Sequence, residues 1–140
     1  MPIVGVVADA NVLLSAIVGK AALRVFSEFV ITVHVAQFNS DEVAEYLPEM
    51  ASKYELPEEL VQLQWKLLPL RLHPVNDYLH YFPEALNQLK DRDPDDAHVP
   101  ALSRSQGLPI WSNDRDLRSL GVECYTTAKL LKVLKEQLKS

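Results

Sequence analysis

Residues 3 to 8 read Ile-Val-Gly-Val-Val-Ala, an unbroken apolar run that stops at Asp9. A segment this short and this rich in valine suits a strand buried on both faces, the kind found inside a parallel sheet with helices above and below it. An acid at its C-terminal end then lies at the edge where open parallel sheets bind their ligands. That one junction restricts the chain to an α/β architecture and marks Asp9 as a candidate functional residue.

The rest of the chain alternates in the way such a sheet requires. A helix, broken near Gly19, follows Asp9, with Leu23, Val25, Phe26 and Phe29 at helical spacing. Residues 31 to 36 form a second strand. Asn39 and Ser40 then suit the N-cap of a second helix, with Asp41 and Glu42 in its first turn and a kink or stop at Pro48. Pro57-Glu58-Glu59 opens a third helix, in which Leu60, Leu63 and Leu67 share a face. Residues 70 to 73 read as a third strand ended by Pro74, and 78 to 90 as a helix despite Pro83. Asp93-Pro94-Asp95-Asp96 starts a helix that ends at Gly107. Residues 108 to 111 and 122 to 125 are the last strands, and a helix capped by Thr127 turns Leu130, Leu131, Leu134 and Leu138 inward. The reading is a three-layer α/β/α sandwich with a mostly parallel sheet of about five strands.

With 140 residues, 48% of them hydrophobic, the chain can bury one substantial core and not two, so residues 1–140 are expected to form a single domain. The single cysteine, Cys124, has no partner for a disulfide or a cysteine-rich zinc site, and the N-terminus lacks a basic start and a long apolar run. A cytoplasmic protein without a membrane span is expected. The net charge of −5 argues at first against a nucleic-acid partner. Setting aside Asp9, Glu45, Asp96 and Asp114 leaves 15 acids of 19 against 14 Lys and Arg. The negative excess is thus confined to four candidate site residues, and the remainder is close to neutral.

Those four fall at strand ends or in helices that follow them, so they can converge on one edge. Clustered carboxylates raise one another's pKa and oppose folding unless a cation joins them. Magnesium or manganese suits an all-oxygen set, and such ions activate water and neutralise charge in phosphodiester hydrolysis.

The order of the motifs resembles the PIN domain along the whole chain. Asp-Ala-Asn-Val-Leu-Leu-Ser-Ala at 9 to 16 is similar to its opening motif, with Asp9 as the first acid. Ser-Asp-Glu-Val-Ala-Glu-Tyr-Leu at 40 to 47 resembles the segment bearing the second, placed here at Glu45 with Glu42 as its rival. Asp-Pro-Asp-Asp-Ala-His-Val at 93 to 99 is similar to the third, which gives Asp96. Ile-Trp-Ser-Asn-Asp-Arg-Asp-Leu at 110 to 117 resembles the fourth, giving Asp114 with Asp116 as a companion ligand and Ser112 in place of the usual threonine. The resemblance implies the α/β/α fold, a Mg2+ or Mn2+ site on Asp9, Glu45, Asp96, Asp114 and Asp116, and an endoribonuclease that hydrolyses RNA. It further implies the toxin role of a VapC-type toxin–antitoxin pair, with an antitoxin protein as partner and a homodimer as assembly.

Each acid also has a plainer reading. Asp9 could cap a helix, Glu45 could be solvated with Glu42 and Glu49, the acids at 93, 95 and 96 could complement a helix dipole, and Asp114 could be a turn residue. His98 is read as structural, the lysines at 129, 132, 135 and 139 as a solvated face, and Arg115 and Arg118 as RNA contacts. A non-catalytic PIN-like module binding RNA or protein is the main alternative, and the presence of all four acids speaks against it. An aspartyl-phosphate enzyme would place a second aspartate where Asn11 stands. A structure-specific DNA nuclease would need helical additions for which this chain has no room.

Overall fold

The computed structural model describes residues 2–89 and 92–139, the side chains at 118 and 119 apart. The expectations for Lys90 as a helix end and Arg118 as an RNA contact therefore lie outside the described residues. Five strands form one parallel sheet in the order β3-β2-β1-β4-β5, with β1 Gly5–Ala8, β2 Thr32–Ala36, β3 Leu70–His73, β4 Ile110–Trp111 and β5 Cys124–Tyr125. β1 is central. Val6 lies beside Val33 of β2 and Ala8 beside Trp111 of β4, so the apolar run at the N-terminus is paired along both edges.

Alternate residues of the strands feed two cores, because strand side chains point to opposite faces with a period of two. Val6, Ala8, Val33 and Val35 pack with Trp111 beneath α1 Ala10–Ile17, α3 Gln37–Lys53 and α7 Thr127–Leu138. Val7, Ala36 and Ile110 pack on the other face against α5 Phe82–Leu89 and α6 His98–Gln106. Two further helices complete the set, α2 Leu23–Glu28 and α4 Glu58–Leu67. The chain is therefore the expected three-layer α/β/α sandwich. No described helix is long and apolar enough to cross a membrane.

Several local expectations need correcting. α3 starts at Gln37, with no side-chain cap, so Asn39 and Ser40 are helical residues and not caps. It also runs through Pro48. Pro48 and Ala44, whose carbonyl loses its partner, are both exposed, and water can satisfy that carbonyl. The α7 cap is Thr126, whose side chain accepts from the Lys129 N–H, while Leu138 is 71% exposed and not inward. Leu60, Leu63 and Leu67 face solvent, and α4 instead packs through Val61 and Trp65. Pro94–Ala97 is a 3-10 turn that precedes α6, and Asp93 caps it by accepting from the Asp95 N–H.

A polar chain, buried at its two histidines, joins β2 to the segment after β3. His34 Nδ1 and His73 Nε2 are 2.8 Å apart, and His73 Nδ1 lies 2.8 Å from Asp77 Oδ2. With the carboxylate accepting from His73 Nδ1, neutral His73 presents Nε2 as an acceptor, which assigns the bridging proton to His34 Nδ1. Burial lowers the His34 pKa, and the neighbouring His73 and Arg71 lower it further. A histidine whose folded pKa is depressed contributes stability above about 6.5, the unfolded value, and that contribution is lost as pH falls toward the folded value. Between pH 7.5 and 5 the melting temperature of the unmodified protein should thus fall relative to that of His34→Asn; parallel curves for the two proteins would sink the assignment.

Candidate functional site

Asp9 is the first residue past β1, held in place twice. Its Oδ1 accepts from the Val12 N–H at 3.0 Å and so caps α1, which is the plainer reading of this residue made real. Its Oδ2 accepts from the Ser112 hydroxyl. Ser112 is fully buried just beyond β4, and its Oγ accepts in turn from the Asp114 N–H at 3.0 Å. One hydroxyl therefore spaces the two aspartates that end adjacent strands. Asp114 Oδ1 accepts from the Asp116 N–H at 2.9 Å, fixing the start of a 3-10 turn, Arg115–Leu120. The neighbouring Asn113 faces away from this work: its Oδ1 accepts from the Thr127 N–H at 2.9 Å and anchors α7.

α3 lies across the same edge and presents Asn39, Glu42, Tyr46, Glu49, Met50 and Lys53 along one side. Together with Asp9, Asn11, Asp95, Asp96 and Asp114 these line a cleft of about 370 Å³. Of the sequence-predicted ligands, Asp9, Asp96 and Asp114 meet in it. Glu45 does not: it is exposed on the flank of α3, and Glu42 occupies the cleft in its place. At about 3.6 residues per turn, Glu45 lies only about 60° around the helix from Glu42, but on the side away from Tyr46 and Lys53, which puts it just beyond the arc that faces the cleft. Asp116 stands at the rim with its side chain 73% exposed. His98 is structural, as expected, stacked on Phe38 with ring centroids 4.1 Å apart and with Nδ1 2.6 Å from the Tyr78 hydroxyl.

The electrostatics separate the acids into two groups. Burial raises the Asp9 pKa, and Asp114 adds to this against the opposing hydrogen bonds from Ser112 and Val12. Burial likewise raises Glu42, opposed by Asn39 Nδ2, which donates to Glu42 Oε1 at 2.8 Å, and reinforced by the charges of Asp95, Asp96 and Asp9. Asp96 and Asp114 instead share Arg92, whose Nη2 is 3.2 Å from an oxygen of each, while Nη1 is 2.8 Å from Asp116 Oδ2. Among the described residues no three acids already converge on a single ion position.

The donor set nevertheless fits a hard divalent cation. Its ligands are all oxygens, two of its acids are held above their ordinary pKa by burial and by neighbouring carboxylates, and Asn39 Oδ1 is buried with no hydrogen-bond partner. Asn39, Lys53 and Arg92 are the residues that sequence reasoning missed as site components, while Glu42, named there as the rival of Glu45, is the one that lines the cleft. The roughly 100° step of a helix puts Asn39, Glu42 and Lys53 on one face, but only the packing of α3 shows that this face is the one turned to the cleft.

A family model described as a PIN domain matches residues 7–135. Among curated proteins none is significantly similar in sequence. The fold is similar to that of a toxin–antitoxin complex component from Klebsiella pneumoniae, at 14% identity and a TM-score of 0.64, over 87% of this chain and 97% of that one. It is similar to a chain of VapBC2 from Rickettsia felis bound to a DNA fragment from their promoter, at 13% identity and a TM-score of 0.63, over 87% and 98%. PAE2754 from Pyrobaculum aerophilum shares 17% identity with a TM-score of 0.66, over 95% and 90%.

Proposed function

The chain belongs to the PIN-domain family, and from that premise we propose that residues 1–140 form one divalent-metal-dependent endoribonuclease acting on RNA phosphodiester bonds. The observation that carries the reading is the cleft in which Asp9, Glu42, Asp96 and Asp114 meet from four separate segments of the chain. The metal would be held by these four, with Asn39 Oδ1 as a further oxygen, and Mg2+ and Mn2+ both suit them. When bound, such an ion lowers the pKa of water and neutralises charge on the phosphate and the leaving oxygen.

The chain's own residues do the rest. Ser112 holds Asp9 and Asp114 at a fixed spacing, and Asn39 orients Glu42. Glu42, oriented by Asn39 at the cleft wall, is placed to align the attacking water. Lys53 at the lip and exposed Arg115 supply positive charge toward the RNA backbone. The Klebsiella structure is a toxin–antitoxin complex, which supports a toxin role here with an antitoxin protein as partner; a homodimer as assembly and the cytoplasm as location belong to the same proposal.

Purified protein should cleave single-stranded RNA with Mg2+ or Mn2+ and stop when a chelator is added. Asp96→Asn should lower the rate by about 100-fold or more, at least the loss that follows from disturbing an outer-shell partner of a metal site. Cleavage by that variant at the rate of the unmodified protein would refute the assignment, and equal cleavage of single-stranded DNA would refute the substrate class.

A further inference from the structure

Arg92 lies between α5 and the 3-10 turn Pro94–Ala97, with its N–H bonded to the Leu89 carbonyl at 2.9 Å. That tether places its guanidinium among three carboxylates, with Nη2 3.2 Å from both Asp96 Oδ2 and Asp114 Oδ2, and Nη1 2.8 Å from Asp116 Oδ2. Two of the three are acids proposed above as metal ligands, and the third is their neighbour at the rim. Asp9 and Glu42, which Arg92 does not touch, are the acids whose pKa rises. We infer that Arg92 is a built-in counter-ion of the metal-free site, which sets how much free divalent metal is needed to load it.

Arg92 and a divalent ion compete for the same oxygens. A guanidinium is always charged at physiological pH and cannot be neutralised to make way. A divalent ion drawn to Asp96 and Asp114 would stand within a few ångströms of that charge, and the repulsion requires Arg92 to withdraw. Its side chain is 30% exposed, so it has solvent into which to withdraw. Metal-free, the guanidinium relieves the repulsion among Asp96, Asp114 and Asp116. Metal-bound, the ion takes over that task. Asp96 and Asp114 are both paired with Arg92, and among the described residues no three acids converge on one ion position. The inference rests on the metal-site reading above, and the test separates the two.

The experiment is a Mn2+ titration by calorimetry of the unmodified protein, Arg92→Gln, Arg92→Lys and Asp96→Asn, with thermal melts in chelator alongside. Arg92→Gln should bind Mn2+ about fivefold tighter or more, the scale expected when several half-exposed ion pairs cease to compete. The same variant should melt lower than the unmodified protein in chelator and regain the difference with Mn2+, a crossing that a purely structural arginine would not give. Arg92→Lys keeps the charge but loses the fork, and its affinity should lie between the two. Should Arg92→Gln fail to fold, Arg92→Lys carries the test. Equal or weaker Mn2+ binding by the arginine variants, with binding abolished in Asp96→Asn, overturns the counter-ion role and leaves the metal site standing. Binding unaffected by Asp96→Asn, or no binding by any of the proteins, overturns both.

Discussion

Asp9→Asn is expected to abolish RNA cleavage and at the same time to raise the melting temperature of the metal-free protein. Burial holds the Asp9 carboxyl above its ordinary pKa, and Asp114 pushes in the same direction. A carboxyl of this kind destabilises the fold when ionised, and the penalty disappears as pH falls through its raised folded value toward 3.8. Asparagine removes the charge at almost constant volume. Its Oδ1 can still accept from Val12 and cap α1, and its amide can donate to Ser112 Oγ. For a chain of this size each 1 kcal/mol recovered corresponds to roughly 4 °C. Added Mn2+ should then stabilise the unmodified protein and leave the variant where it was. A lower melting temperature for Asp9→Asn in chelator would mean that Asp9 is chiefly a structural cap.

The second large effect separates two glutamates three residues apart. Glu42→Gln should reduce cleavage by about 100-fold, the loss expected when a group that holds the metal and aligns the attacking water is removed, whereas Glu45→Gln should stay within about twofold. Glu42 lines the cleft, accepts from Asn39 and feels Asp95, Asp96 and Asp9; Glu45 is exposed. Single-turnover rates at saturating Mg2+ would decide it, and loss of activity in Glu45→Gln alone would return the second acid to the position suggested by motif spacing.

That pair also shows how far the sequence is legible. Asp9 and Asp114 could be read directly, because each follows a short apolar strand and strand ends are marked by abrupt changes of polarity. Asp96 could be read because Asp93-Pro94 marks a chain start of its own. Glu42 could be named only as the rival of Glu45, since the two are about 60° apart around the helix and the packing of α3 decides which of them enters the cleft. The start of α3 was hidden too: Gln37 follows directly from the end of β2 at Ala36 with no side-chain cap to mark it, whereas Asn39 and Ser40 suggested a cap three or four residues later. Asn39 was hidden by the same shift. Pro48 promised an interruption that solvent exposure makes unnecessary. Arg92 was the least legible of all, because Asp116 and Asp114 are remote from it in sequence and only the sheet order brings them near. The alternation of strands and helices fixed the layers, while the identity of each site residue depended on where elements begin.

The central position of β1 has a consequence in time. Its partner across the site, β4, is made about a hundred residues later, and Asp9 meets Ser112 and Asp114 only when that strand has been added beside it. At about 5–20 residues per second, the first and last carboxylates of the cleft are synthesised roughly 5–20 s apart. Throughout that interval the emerging polypeptide carries half of the carboxylate pair and no cleft. On the proposed function, a growing chain would therefore spare the messenger that is encoding it, and a product truncated before β4 would have no site to cut with.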